Sequence, residues 1–243
     1  MASKLGILKS LGVINPEDFQ QSMERLMAVV EKIELPHEPE VSASFAKLYA
    51  DHEFVDDMIG MPLDHSMAVI ARKKEIDFFK SRGVYTKVKR APWMRVITTK
   101  WIDHNKGDLA APNYRARLVG REVAHDKRDD LYAATPPLES LKAILALCAS
   151  RQGGPRPSRI MALDVARAYF YAPATRALYI HIPSEDRLPG DEGCVAKLNL
   201  SLYGTRDAAK NWTQTYTVFL NETGFETCKG STCNFCHLDD KYR

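Results

Sequence analysis

The stretch ALDVARAYFYAP, residues 162–173, sets a single carboxylate, Asp164, directly behind an apolar run and follows it with two adjacent aromatics, Tyr169 and Phe170. The segment RIMALDV (159–165) reads as a compact apolar strand, so Asp164 closes a strand that belongs to a core. A carboxylate placed there is costly unless it is hydrogen-bonded, ion-paired or bound to a cation. Mg2+ suits such a position, because it takes oxygen ligands, keeps several waters and needs only one or two carboxylates beside substrate phosphates. The next backbone carbonyl, at Val165, is a second oxygen for the same ion. Tyr169 falls five residues on, after a turn, where its ring would wall a sugar-binding pocket. An aspartate ending a strand is more commonly a cap or turn residue, so the flanking sequence has to decide.

Upstream, NPEDFQQSMERLMAVVEKIEL opens with Asn15 as N-cap and Pro16 at the first helical position, with Phe19, Met23, Leu26 and Val30 at helical spacing. PHEPEVSAS reads as a linker. A second helix is expected from Asp64 to a stop at Gly83, with Arg72, Lys73, Lys74 and Lys80 on its exposed side. From Val84 the period changes to that of strands in GVYTKV, RVITTKWID and YRARLVGREV, with HNKGD as a turn between two of them. Thr135 and Pro136 start a further helix whose apolar stripe is Leu138, Leu141, Leu145 and Cys148. Downstream, ALYIHIP and VAKLNLSLYG alternate as half-buried strands. The helix DAAKNWTQTYTVFLNETG is expected to bury Ala209, Trp212, Tyr216 and Phe219 and to stop at Gly224. Strands mixed irregularly with helices give an α+β fold.

Charge is segregated. Residues 1–70 hold 5 Lys+Arg against 12 Asp+Glu, residues 71–128 hold 16 against 6, and residues 129–243 balance at 13 each. The basic middle block points to a polyanion as partner. No run approaches the length of a transmembrane helix and the N-terminus lacks a convincing secretory signal, so no membrane partner is expected. Five cysteines do not suggest a disulfide framework, and the chain reads as intracellular, in a cytoplasmic particle or the nucleus. Cys228, Cys233, Cys236 and His237 overlap iron–sulfur and zinc spacings, but no further cysteine follows and free thiols are the expectation. His125 and His181 are expected at the surface.

Four blocks then resemble one family, in order and spacing, from about residue 65 onward. ALDVARAYFYAP resembles the first catalytic motif of reverse transcriptases, an aspartate followed five residues later by Tyr or Phe. NLSLYGTRDAAKNW (199–212) resembles the segment that copia-type retrotransposon polymerases carry as Leu-Tyr-Gly-Leu-Lys-Gln-Ala-x-x-x-Trp. VITTKWIDHNKGD (96–108) with NYRARLVGREV (113–123) is similar to their fingers segment, and DLYAATPPLESLKAILALCAS (130–150) to the helix that follows it. The resemblance implies the fingers and part of the palm of a right-hand polymerase over residues 63–243, behind an acidic, mostly helical N-terminal region and linker over 1–62. It implies RNA-directed DNA polymerisation with Mg2+ or Mn2+ at a two-metal site. An RNA template, a DNA primer, deoxynucleotides and the rest of a Pol polyprotein would be the partners. By position, Asp164 and the Val165 carbonyl would bind metal. Arg115 or Arg117 would reach the triphosphate, Tyr169 would reject a ribose 2′-hydroxyl, and Tyr203 and Gly204 would lie near the sugar and the template base.

Thr205, Arg206 and Asp207 replace the family's Leu-Lys-Gln, and Gly120-Arg121 replaces its Arg-Gly. The second catalytic motif, aromatic-x-Asp-Asp, is represented only by HLDD, with Asp239 and Asp240 near the C-terminus. HLDD reads as a polar turn, so the expectation is a domain truncated before its second carboxylate pair and inactive without sequence outside it. The alternatives are a nucleic-acid-binding remnant without catalysis, and a decayed element or truncated gene model without function.

Overall fold

A computed structural model describes residues 39–123, 131, 133–150, 160 and 164–237. The N-terminal helix expected over 15–35, His125, positions 161–163 of the RIMALDV strand, and Asp239 and Asp240 lie outside the described residues. The chain divides into two units. The larger takes Pro36–Ala133 and Ala166–Tyr216, and the smaller includes Ala134–Val165 and Thr217–Arg243.

In the larger unit a short helix α1 (Ala43–Lys47) leads into the long helix α2 (His65–Arg82). Asp64 caps α2 by accepting the Met67 amide at 2.9 Å, and Gly83, in the left-handed region at φ 62°, ends it. The buried face of α2 carries Ala68, Val69, Arg72, Glu75, Ile76 and Phe79. Lys74 and Lys80 are exposed as the sequence suggests. Arg72 is not: it is 6% exposed, because Asp103 supplies it with a buried carboxylate.

Four strands, β1 (Tyr85–Lys89), β2 (Val96–Ile97), β5 (Tyr179–Ile180) and β6 (Cys194–Leu198), form a sheet in the order β1-β6-β5-β2. The expected alternation in ALYIHIP gives way to continuous burial of Leu178, Tyr179 and Ile180, since β5 is flanked by β6 and β2. The strand in VAKLNLSLYG ends at Leu198, after which Leu200 bridges to Pro173. β3 (Thr99–Asn105) and β4 (Tyr114–Gly120) form a separate antiparallel hairpin. Asn105 Oδ1 closes its turn by accepting from the Gly107 and Asn113 amides at 3.0 and 2.8 Å. The core joins Phe79 of α2 to Phe170 in a 3-10 turn (Ala168–Tyr171), ring to ring at 4.9 Å.

Helix α3 (Leu138–Ser150), in the smaller unit, starts at Leu138. Of its predicted stripe Cys148 is buried, whereas Leu138, Leu141 and Leu145 are exposed, uncovered by the described residues. Helix α4 (Ala208–Glu222) buries Ala208 and Asn211 rather than Ala209 and Trp212. Its inward face is turned by a polar network in which Asn211 meets Ser201, Asp207 and Thr175. A hairpin of β7 (Phe225–Thr227) and β8 (Phe235–His237) follows.

Candidate functional site

Strand alternation sets Arg115 and Arg117 on one face of β4, opposite His104 and Ile102 of β3. Helix α2 packs on β4 and brings Glu75, 1% exposed, into the neighbourhood of both arginines. A third guanidinium arrives from the 166–171 turn. Arg167, the only non-glycine with positive φ among the described residues, at 54°, donates from Nε to Glu75 Oε2 at 3.0 Å. The same guanidinium covers the ring of Phe78 at 4.4 Å.

The cluster therefore holds three arginines around one carboxylate, and it is not closed. Glu75 Oε1 and Arg117 Nε are both buried without a hydrogen-bond partner. Burial pushes the Glu75 carboxyl above its ordinary range, more than Arg167, Arg115 and Arg117 pull it down. Burial, then the charges of Arg117 and Arg167, push Arg115 the other way, against its cationic form. Excess positive charge held in partial burial, with the Arg117 Nε donor unmatched, is an arrangement that an incoming anion would complete, whereas Glu75 Oε1 would need a donor.

Tyr203 walls the cluster. The Arg117 guanidinium lies 5.2 Å from its ring centre, and the rings of Tyr169 and Phe170 lie 5.0 and 5.2 Å away. Burial raises the Tyr203 hydroxyl above its usual value, so it stays a neutral donor. Gly204 is required by a close approach. At φ 78° a Cβ there would fall 2.0 Å from the Gly120 carbonyl oxygen, while the Gly120 amide donates to Tyr203 O at 2.7 Å.

A second ionic group fastens this junction. Arg176 grips Glu122 with two bonds of 2.9 Å and Asp207 with one of 2.7 Å, and the Arg206 amide donates to Glu122 at 2.8 Å. Against the cost of burial, Arg176 holds the Glu122 and Asp207 carboxyls below their ordinary range. The residues after Tyr203-Gly204 are thus tied to the end of β4. The departure from the family's Leu-Lys-Gln at 205–207 gives Asp207 its place in this tie.

The structure brings together four of the predicted residues, Arg115, Arg117, Tyr169 and Tyr203, with Gly204 holding the backbone beside them. Asp164 and Val165 fall in the smaller unit, where Asp164 is exposed and Val165 half-buried, and no strand is assigned to either. The described residues contain no group of three His, Cys, Asp or Glu side chains that could hold a metal ion. Asp164 has the right chemistry for Mg2+, but the described residues do not complete a two-ion site around it. Cys228, Cys233 and Cys236 are free thiols, and His181 is exposed. Sequence reasoning missed Glu75, Arg167 and Arg176. Glu75 adjoins Ile76 and stands four residues before Phe79, both apolar, which was the one signal for its burial.

The family described as reverse transcriptase (RNA-dependent DNA polymerase) matches residues 82–243. Among curated proteins, the retrovirus-related Pol polyprotein from transposon TNT 1-94 of Nicotiana tabacum is 26% identical over 168 residues, 67% of this chain and 12% of that protein. The transposon Ty1-BL Gag-Pol polyprotein of Saccharomyces cerevisiae is 29% identical over 149 residues, 58% of this chain and 8% of the relative. The chain thus spans about a tenth of the length of these polyproteins. No solved structure matches. Among the described residues no helix is long and apolar enough to cross a membrane.

Proposed function

From the premise that the chain belongs to the reverse transcriptase (RNA-dependent DNA polymerase) family, we propose that residues 63–243 are the fingers and part of the palm of a copia-type polymerase domain. In this reading it binds an RNA template, a DNA primer and a deoxynucleoside triphosphate. The observation that carries the proposal is the cluster of Arg115, Arg117 and Arg167 around Glu75. Its net positive charge and the unmatched Arg117 Nε suit a triphosphate, and phosphoryl transfer depends mainly on such positioned cations.

Arg115 and Arg117 take the triphosphate oxygens, with Glu75 and Arg167 keeping the cluster in place. Tyr169, its ring tilted against that of Tyr203, excludes a ribose 2′-hydroxyl by its bulk. Tyr203 and Gly204 line the sugar and template-base side. Asp164, with the Val165 carbonyl, is the oxygen pair that would hold a divalent cation. When bound, that cation supplies charge neutralisation at the reacting phosphate. The basic block over 71–128 contacts the template–primer backbone, so binding falls as salt rises.

The test is incorporation of dTTP on an RNA template with a DNA primer, with Mg2+ and with Mn2+. We expect any incorporation to vanish in Asp164→Ala; a rate unchanged by that substitution overturns the site assignment. A second reading, template–primer binding without catalysis, rests on the basic block over 71–128 alone. It predicts salt-dependent binding with no incorporation by the unaltered chain.

A further inference from the structure

Residues 90–95, RAPWMR, cross the end of the four-stranded sheet, linking its two outer strands, β1 and β2. The crossing is braced: the Arg90 amide donates to Gly193 O at 2.9 Å and the Met94 amide to Ala91 O at 3.1 Å. At its apex Trp93 is 71% exposed, though its ring is seated edge-on against Tyr179 of β5, 5.9 Å away at 80°. An indole so exposed and yet so placed gains little for the fold from its open face.

Along the chain, the charges to either side of it have one sign. From Lys80 to Lys100 the chain carries seven Lys and Arg and no Asp or Glu. Lys89, Arg90 and Arg95 are exposed, and the arginine side chains have no ion-pair partner among the described residues. Of the acids on the adjoining turn, Asp191 is taken by Lys87 at 2.7 Å, and Glu192 meets Lys89 only through its backbone carbonyl, at 3.1 Å. A protein-docking surface would ask for a wider apolar area than one ring. A lone aromatic face between unpaired cations matches a stacked base with phosphates on either side. In a duplex, bases cover each other's faces except at the two ends, so along a strand it is an unpaired base that can use this one.

We propose that Trp93, with Arg90 and Arg95, forms a stacking platform for single-stranded nucleic acid. This deepens the reverse transcriptase reading and rests on it in one respect, that the natural strand is the unpaired stretch of the template. The full chain is titrated with eight-residue oligo(rU), oligo(dT) and a blunt RNA–DNA duplex, following tryptophan fluorescence and anisotropy, beside Trp93→Ala, Trp93→Phe and Arg90→Ala/Arg95→Ala. Circular dichroism confirms that each variant is folded.

The expected result is quenching by both single strands, loss of that quenching and about tenfold weaker binding in Trp93→Ala, and largely retained affinity in Trp93→Phe. The double arginine variant should flatten the salt dependence by about 0.7 of a log–log unit for each lost phosphate contact. A stronger effect on oligo(rU) than on oligo(dT) assigns the platform to RNA, and the reverse to DNA. Single-strand binding equal in wild type and Trp93→Ala overturns the platform and leaves the polymerase reading standing. So does a Trp93→Ala effect on self-association alone, which makes the ring a protein contact. Failure to bind any of the three probes overturns both.

Discussion

Two buried arginine groups lie three residues apart along one face of α2, and they are built on opposite principles. Arg72 is paired one to one. It holds Asp103 through Nη2 at 2.6 Å and Nε at 3.2 Å, and the rings of Phe54, Tyr49 and Trp101 surround it at 4.7, 5.0 and 5.1 Å. At Glu75 only Arg167 is paired to the carboxylate while Arg115 and Arg117 act on it by charge, and a buried atom on each of Glu75 and Arg117 lacks a partner. The first group is complete in the folded chain and has no capacity left for a ligand. The second lacks negative charge. Burial alone therefore does not distinguish the two groups; the count of charges does.

The sharpest way to break this contrast is Asp103→Ala, which leaves Arg72 buried without its counter-charge. Loss of one partner of such a pair costs about 3–5 kcal/mol, so urea unfolding should show a correspondingly lower midpoint at unchanged slope. A loss under about 1 kcal/mol would mean that the three rings, and not Asp103, hold Arg72.

Arg117→Ala comes next. It removes one of three crowded cations, so stability should move by no more than about 1 kcal/mol. Affinity for inorganic triphosphate, measured calorimetrically, should fall about tenfold, the scale of one charge-assisted contact. Stability falling as far as in Asp103→Ala, with triphosphate affinity unchanged, would make the two groups equivalent and remove the distinction.

The smallest expected effect is that of Glu75→Gln, and its sign is informative. The Glu75 carboxyl is raised in the folded protein, so the folded chain binds more protons than the unfolded chain just above the ordinary carboxylate range. Its contribution to stability is then fully present at lower pH and declines as pH rises through the raised value. Subtracting the Glu75→Gln stability curve from that of wild type should leave a term that falls with pH. Asp207 and Glu122 have the opposite sign, because their carboxyls are lowered and their contribution is lost as pH falls. A difference curve rising with pH would show that the arginines outweigh burial at Glu75.

Much of the fold was legible because local chemistry writes it. Asp64 and Gly83 bracket α2 as an N-cap and a left-handed stop, and HNKGD marks the β3–β4 turn through Asn105. Arg115 or Arg117, Tyr169, Tyr203 and Gly204 could be singled out only through the motifs that carry the family resemblance. Arg72 could not be read correctly. Charge alone assigns an arginine to solvent, and its burial depends on Asp103, which lies 31 residues away on another element. Burial along α4 was misplaced for the same reason, since Asn211 turns inward only where Ser201, Thr175 and Asp207 meet it.

By itself, then, the sequence determined α2 with its cap and stop, the β3–β4 turn, the basic block and the family, since these depend on neighbours in the chain or on motif order. The tertiary structure alone decided which charges are balanced. It sets Arg72 against Asp103 and leaves three arginines to Glu75, because ion pairing is governed by distance in space and by the loss of water around the pair.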